Sequence, residues 1–147
     1  MPEPTIQDWN YAAGLFDGEG HIAVAHTPNR WSGHYQFYVA VMMMEPEPLI
    51  WLHETFGGSF KPYSRTIKGK PRIEWRWGLC SDGCTWFLEG IRPFLKTRKA
   101  GETDIALEYR KTFVTLAGRG RGRTLSPDVV AFRDGCIEKI RLIRSTA

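Results

Sequence analysis

The chain of 147 residues reads as an α+β domain, an antiparallel sheet with helices on one face, in the order α-β-β-α-β-β-α with further helices after it. Three observations predict this. Segments whose apolar residues recur at period two come in pairs joined by turn residues. Each pair follows a segment of helical period that ends in glycine. Within the strands, apolar side chains hold one parity, while polar, basic and aromatic ones hold the other. The length suits one well-buried core, so residues 1–147 form a single expected domain.

The first helix runs through Trp9, Ala12, Ala13, Leu15 and Phe16, with Thr5 or Asp8 as its cap, and should stop at Gly18 and Gly20. His21 to Thr27 alternates as a strand, and residues 28–33 carry turn chemistry. His34 to Met43 is a second strand, with Tyr35, Phe37, Val39 and Val41 on one side and Gln36, Tyr38, Ala40 and Met42 on the other. Glu45 to Phe56 reads as a helix closed by Gly57-Gly58, since Pro46 and Pro48 fall in its first turn. A hairpin follows, Ser59 to Arg65 and Arg72 to Leu79, turning around Lys68-Gly69-Lys70. Ser81 or Asp82 caps a helix ending at Pro93, and Arg98 to Leu116 forms another. Residues 117–125 read as a flexible basic loop. Ser126-Pro127-Asp128 then starts a last helix over 126–145, with Val129, Phe132, Ile137, Ile140 and Ile143 inside.

Composition narrows the function. With 42% hydrophobic and 24% charged residues, the chain is not disordered. No apolar run nears the roughly 18 residues of a membrane helix. The start, Met1-Pro2-Glu3-Pro4, lacks the regions of an export signal, so an intracellular protein away from membranes is expected. Cys80, Cys84 and Cys136 are odd in number and fit neither a disulfide framework nor a common zinc spacing. His21, His26, His34 and His53 also lack metal spacing, with His21 a candidate beside the site described below. A net charge of +4 favours a polyanionic partner.

The charge has a pattern. Lys61, Tyr63 and Arg65 share one parity of the third strand, and Arg72, Glu74 and Arg76 one parity of the fourth, opposite Ile73, Trp75, Trp77 and Leu79. With Lys68, Lys70, Gln36 and Tyr38 they make a basic and aromatic sheet face, suited either to the DNA major groove or simply to solvent. Arg119, Arg121 and Arg123 lie in a Gly-Arg repeat that either follows a phosphate backbone or is a solvated linker.

The segment with chemistry is Ala12-Ala13-Gly14-Leu15-Phe16-Asp17-Gly18-Glu19-Gly20. Ala13 and Gly14 leave a helix surface with little volume, which lets a second helix backbone come close. Asp17 and Glu19 sit at the end of that surface, so a two-fold copy would bring carboxylates together, a costly arrangement without divalent cations.

These nine residues, with the lead-in Trp9-Asn10-Tyr11, resemble the LAGLIDADG signature of homing endonucleases, with Ala12 for the first leucine and Glu19 as the second acid. Leu49-x-x-Leu52-x-x-x-Phe56-Gly57-Gly58 is similar to the family's second helix, and residues 93–99 to its basic active-site segment. The resemblance implies a DNA-binding saddle of sheets and cleavage of double-stranded DNA with 3′ overhangs. It also implies Mg²⁺ (or Mn²⁺) held by Glu19 and the Gly18 carbonyl, with Asp17 less suited. One motif per chain implies a homodimer packed through Ala13, Gly14 and Asp17. Arg98, then Lys99 or Lys96, would stabilise charge on the phosphate. Met43 stands where the family commonly has a polar residue that positions water, and methionine does not do this. A non-catalytic DNA-binding regulator and an RNA-splicing maturase are therefore the alternatives.

Overall fold

The computed structural model describes residues 2–27, 34–114 and 126–146. The basic loop with Arg119, Arg121 and Arg123 lies outside them. The elements are α1 (Ile6–Glu19), β1 (Gly20–Thr27), β2 (His34–Met43), α2 (Glu47–Phe56), β3 (Ser59–Ile67), β4 (Lys70–Cys80), α3 (Ser81–Ile91), α4 (Lys99–Val114) and α5 (Pro127–Ser145), with a 3-10 turn at Arg92–Phe94. The order matches the expected α-β-β-α-β-β-α. The sheet is antiparallel, ordered β1-β2-β4-β3. Hence β3 is an edge strand, and Pro62 lies within it opposite Trp75.

Thr5 starts α1 with a reciprocal cap: its hydroxyl accepts the Asp8 N–H at 3.1 Å, and the Asp8 carboxylate accepts the Thr5 N–H at 2.9 Å. The helix runs past Gly18 to Glu19, and Gly20 opens β1 directly. Gly20 admits no side chain, because a Cβ there would fall 2.2 Å from the Phe16 ring. The acidic end of α1 and the start of the sheet are therefore one continuous piece. In the β3–β4 hairpin, Lys68 (φ 52°) and Gly69 (φ 77°) form a two-residue turn with positive φ at both positions, the geometry that matches the strands' twist.

The core lies between the sheet and the helices. Phe16, Ile22, Val39, Leu49, Leu52, Trp77, Phe87, Leu88, Ile91, Tyr109 and Ile140 are all fully buried, each worth roughly 1.5–3 kcal/mol for its apolar surface. Phe87 packs against the rings of Trp9, Phe16, Phe56 and Trp77. Trp77 donates its indole N–H to the Gly57 carbonyl at 2.8 Å, so its one polar group is satisfied in the interior.

Four local expectations are corrected. The second helix begins at Glu47, not Glu45, with Pro46 as its cap residue. Neither Ser81 nor Asp82 caps α3; Cys80 occupies the cap position and makes no side-chain bond there. Ile73 has the apolar parity of β4 but is 58% exposed, because the outer half of the hairpin extends past the helices. In α5, Phe132 is exposed and Arg133 is buried. The Arg133 guanidinium lies 3.9 Å from the Phe113 ring centroid and donates to the Thr112 hydroxyl at 2.9 Å, which makes its burial tolerable.

Candidate functional site

The end of α1 is clamped from both directions by the segment between the 3-10 turn and α4. The Asp17 carboxylate accepts the backbone N–H of Lys96 at 2.8 Å, that of Thr97 at 3.2 Å, and the Thr97 hydroxyl at 2.5 Å. In return the Lys99 ammonium donates to the Phe16 carbonyl at 2.9 Å and the Asp17 carbonyl at 2.8 Å. Those are carbonyls of the last helical turn, where the helix dipole attracts a cation, and the Phe16 carbonyl also accepts the Gly20 N–H. Burial, with Arg98 next, holds the Lys99 ammonium below the ordinary lysine range. Asp17 and Lys99 thus fix the helix end. Glu19, two residues on, remains exposed.

Behind the clamp lies a buried carboxylate that sequence reasoning missed. Glu102 is 2% exposed, and its Oε1 accepts the Arg144 Nε–H at 2.8 Å. Arg144 also donates to the Ile22 carbonyl at 2.7 Å, so α5, α4 and β1 meet at this point. The other oxygen of Glu102 lies 3.5 Å from the Arg98 Nε. Two arginines around one carboxylate leave a net positive charge, and the Arg98 side chain keeps 46% of its surface in solvent. Only its spacing of four from Arg98 was a sequence signal for Glu102; its pairing with Arg144, 42 residues away, had none.

The outward face of the sheet carries the basic residues, and its register arranges them in rows. Met42 pairs with Arg76 and Arg76 with Lys61; in the next row His21 pairs with Ala40, Ala40 with Gly78, and Gly78 with Ser59. Glu19, His21, Tyr38, Ala40, Met42 and Arg76 enclose a recess of about 250 Å³. Burial, then Arg144, holds the His21 imidazole below its ordinary value of 6.5, against a raising contribution from Glu102. The Arg76 guanidinium lies over the Tyr38 ring, 5.4 Å from its centroid. Farther out, Arg65 is paired with Glu74 at 3.3 Å, while Tyr63, Lys68, Lys70 and Arg72 are exposed. Gln36 is half-buried on the same strand parity as Tyr38, its carbonyl accepting the Tyr109 hydroxyl at 2.8 Å.

Four of the sequence-derived site residues have surroundings that the sequence did not show. Ala13 is 0% exposed within its own chain, so it lines the chain's own core and offers no surface to a second copy. The open face of α1 carries Tyr11, Gly14 and Gly18 instead. Met43, aligned with a water-positioning residue, has the inward parity of β2 and packs against the core opposite Trp75; Met42 is the methionine that lines the recess. Lys99 spends two of its three ammonium donors on helix carbonyls. Asp17 accepts hydrogen bonds on both oxygens from residues 96 and 97, which ties it to the helix end.

No protein-family model matches the chain, and no curated protein matches it in sequence. Solved structures do match it. The homing endonuclease I-CvuI, in complex with its target in the presence of Ca, aligns with 94% of this chain and 95% of its own at a TM-score of 0.59 and 14% identity. The archaeal intron-encoded homing endonuclease I-Vdi141I, complexed with DNA, aligns with 88% of this chain and 96% of its own at a TM-score of 0.59 and 14% identity. The LAGLIDADG homing endonuclease I-GzeII, in complex with a DNA target, aligns at a TM-score of 0.63 and 14% identity, covering 92% of this chain but 43% of its own. The chain therefore has the fold of the LAGLIDADG homing endonucleases. It corresponds to nearly the whole of some of them and to about half of a longer one.

Proposed function

We propose that the chain is a site-specific endonuclease of double-stranded DNA that hydrolyses phosphodiesters with a divalent metal and acts as a homodimer. The carrying observation is the division of roles at the end of α1. Asp17 and Lys99 lock the helix end, and Glu19 is left as an exposed carboxylate on the recess that opens onto the basic sheet face. The solved structures of the same fold described above are complexed with DNA, which supports DNA as the partner.

Dimerisation is supported by the open stripe of α1. A Cβ built on Gly14 or Gly18 meets nothing within 4 Å, so a second helix has room to approach. A two-fold axis there brings two copies of Glu19 together. The proposed donor set is Glu19 from each copy, the Gly18 carbonyl and the DNA phosphate. Glu19 and the Gly18 carbonyl offer hard oxygens, which fit Mg²⁺ (or Mn²⁺), an ion that keeps several waters and takes one or two carboxylates. Such a metal supplies an acidified water and offsets charge on the leaving oxygen. Arg98 stabilises negative charge building on the phosphate, and a guanidinium stays charged at neutral pH, so it shuttles no proton. Symmetric cleavage of both strands across the minor groove leaves 3′ overhangs at a pseudo-palindromic target.

The test is cleavage of a randomised duplex library with Mg²⁺ by wild type and Glu19→Gln. Cutting of a near-palindromic site by wild type alone supports the proposal. Specific binding without cutting by wild type would replace it with a DNA-binding regulator, consistent with the methionine in the recess.

A further inference from the structure

We infer that Arg76 reads a guanine in the inner part of each half of the target; this rests on the reading above that the sheet face docks on DNA. Arg76 is on β4, an interior strand, with β2 and β3 on either side. It lines two hollows at once: the recess shared with Glu19, and a second of about 430 Å³ bordered by Tyr38, Ser59, Lys61, Gly78 and Cys80. The neighbouring row, Ala40–Gly78–Ser59, is built of small residues in register across three strands. The sheet surface is therefore lowest beside Arg76, where a base-pair edge can come nearest.

The guanidinium has an aromatic neighbour. It rests on the Tyr38 ring at 5.4 Å, and among the described residues it has no ion-pair partner. A planar fork beside an aromatic face matches the O6 and N7 acceptors of guanine in the major groove. Its basic neighbours differ. Lys61, opposite Arg76, is a compact ammonium suited to a phosphate. Arg65 is occupied by Glu74 at 3.3 Å and 3.4 Å. Because Arg76 shares its recess with Glu19, its base pair lies toward the cleaved phosphates, and Arg65, Lys68 and Arg72 face the outer pairs.

The experiment is a binding selection from a randomised duplex library at fixed salt with metal withheld, using wild type, Arg76→Gln, Arg76→Lys and Tyr38→Ala. The wild-type site is expected to show one inner guanine per half, favoured about tenfold or more. In Arg76→Gln that column should move to adenine, because a glutamine amide pairs with N6 and N7, while the other columns stay. Arg76→Lys and Tyr38→Ala should keep the guanine at a smaller ratio. An unchanged guanine column in Arg76→Gln overturns the inference, as does uniform weakening with no column altered, which would make Arg76 a phosphate contact. Failure of the wild type to enrich any duplex overturns the DNA reading itself and this inference with it. Melting curves of the variants separate either result from unfolding.

Discussion

The two ends of the sheet are built on opposite principles. At the inner end, α1 and β1 are joined without a loop, and five hydrogen bonds tie Phe16 and Asp17 to residues 96–99. At the outer end, the β3–β4 hairpin extends beyond the helices, almost every β3 side chain is exposed, and Arg65–Glu74 is its one ion pair among the described residues. Phosphodiester chemistry needs groups fixed to within a fraction of an ångström, because orientation supplies much of the rate. Reading a long duplex needs a surface that can shift with the shape of the DNA. Under the proposed function, the difference teaches that fixed contacts are concentrated where bonds would break and sparse along the outer part of the surface that would read sequence.

Substitutions at the two ends should separate these roles. Glu19→Gln is expected to lower cleavage by about 1,000-fold or more while leaving duplex affinity and melting temperature near wild type, since the exposed side chain supports no packing. Cleavage that survives in this variant would move the chemistry away from the inner end. Gly14→Leu fills the open stripe of α1 and should weaken self-association by about 1–3 kcal/mol for each subunit, read by sedimentation against concentration. An unchanged dimer would place the interface elsewhere. Asp17→Ala removes three hydrogen bonds and should cost about 2 kcal/mol, or about 4–8 °C in melting temperature, with cleavage falling further than affinity. Glu74→Gln, at the outer end, should cost less than about 1 kcal/mol and leave kcat unchanged. Hydrogen exchange sharpens the same contrast: the Lys96 and Thr97 amides should be protected, and those along the open edge of β3 should exchange fast.

Much of this was legible in the sequence. Period-two alternation located the strands and placed Gln36, Tyr38, Ala40 and Met42 on the outward face of β2. The nine-residue motif placed Glu19 at the helix end beside the sheet. Errors arose where one residue decides a face. Met43 and Met42 are equivalent in composition, but a strand reverses side at every step, so an alignment shifted by one exchanges which methionine faces the recess. Ala13 and Gly14 are both small, and only the packing of Phe16 and its neighbours shows which of them turns inward. Phe132 and Arg133 mislead for another reason, because stacking on Tyr35 and Phe113 brings the arginine inside. Glu102 and Arg144 escaped notice because their partnership depends on the docking of α5 against α4, which no local pattern encodes.

Pro62 has a consequence for how the molecule behaves among its own copies. An edge strand with free amides is a template on which another strand can assemble, the first step toward fibrous aggregates. The β3 edge presents a proline, which has no N–H to offer, with Lys61 and Arg65 close by along the strand. A second sheet arriving there meets a missing donor and like charge. The long exposed hairpin is thereby kept from growing by strand addition, which under the proposed function leaves its face for the duplex and self-association to α1.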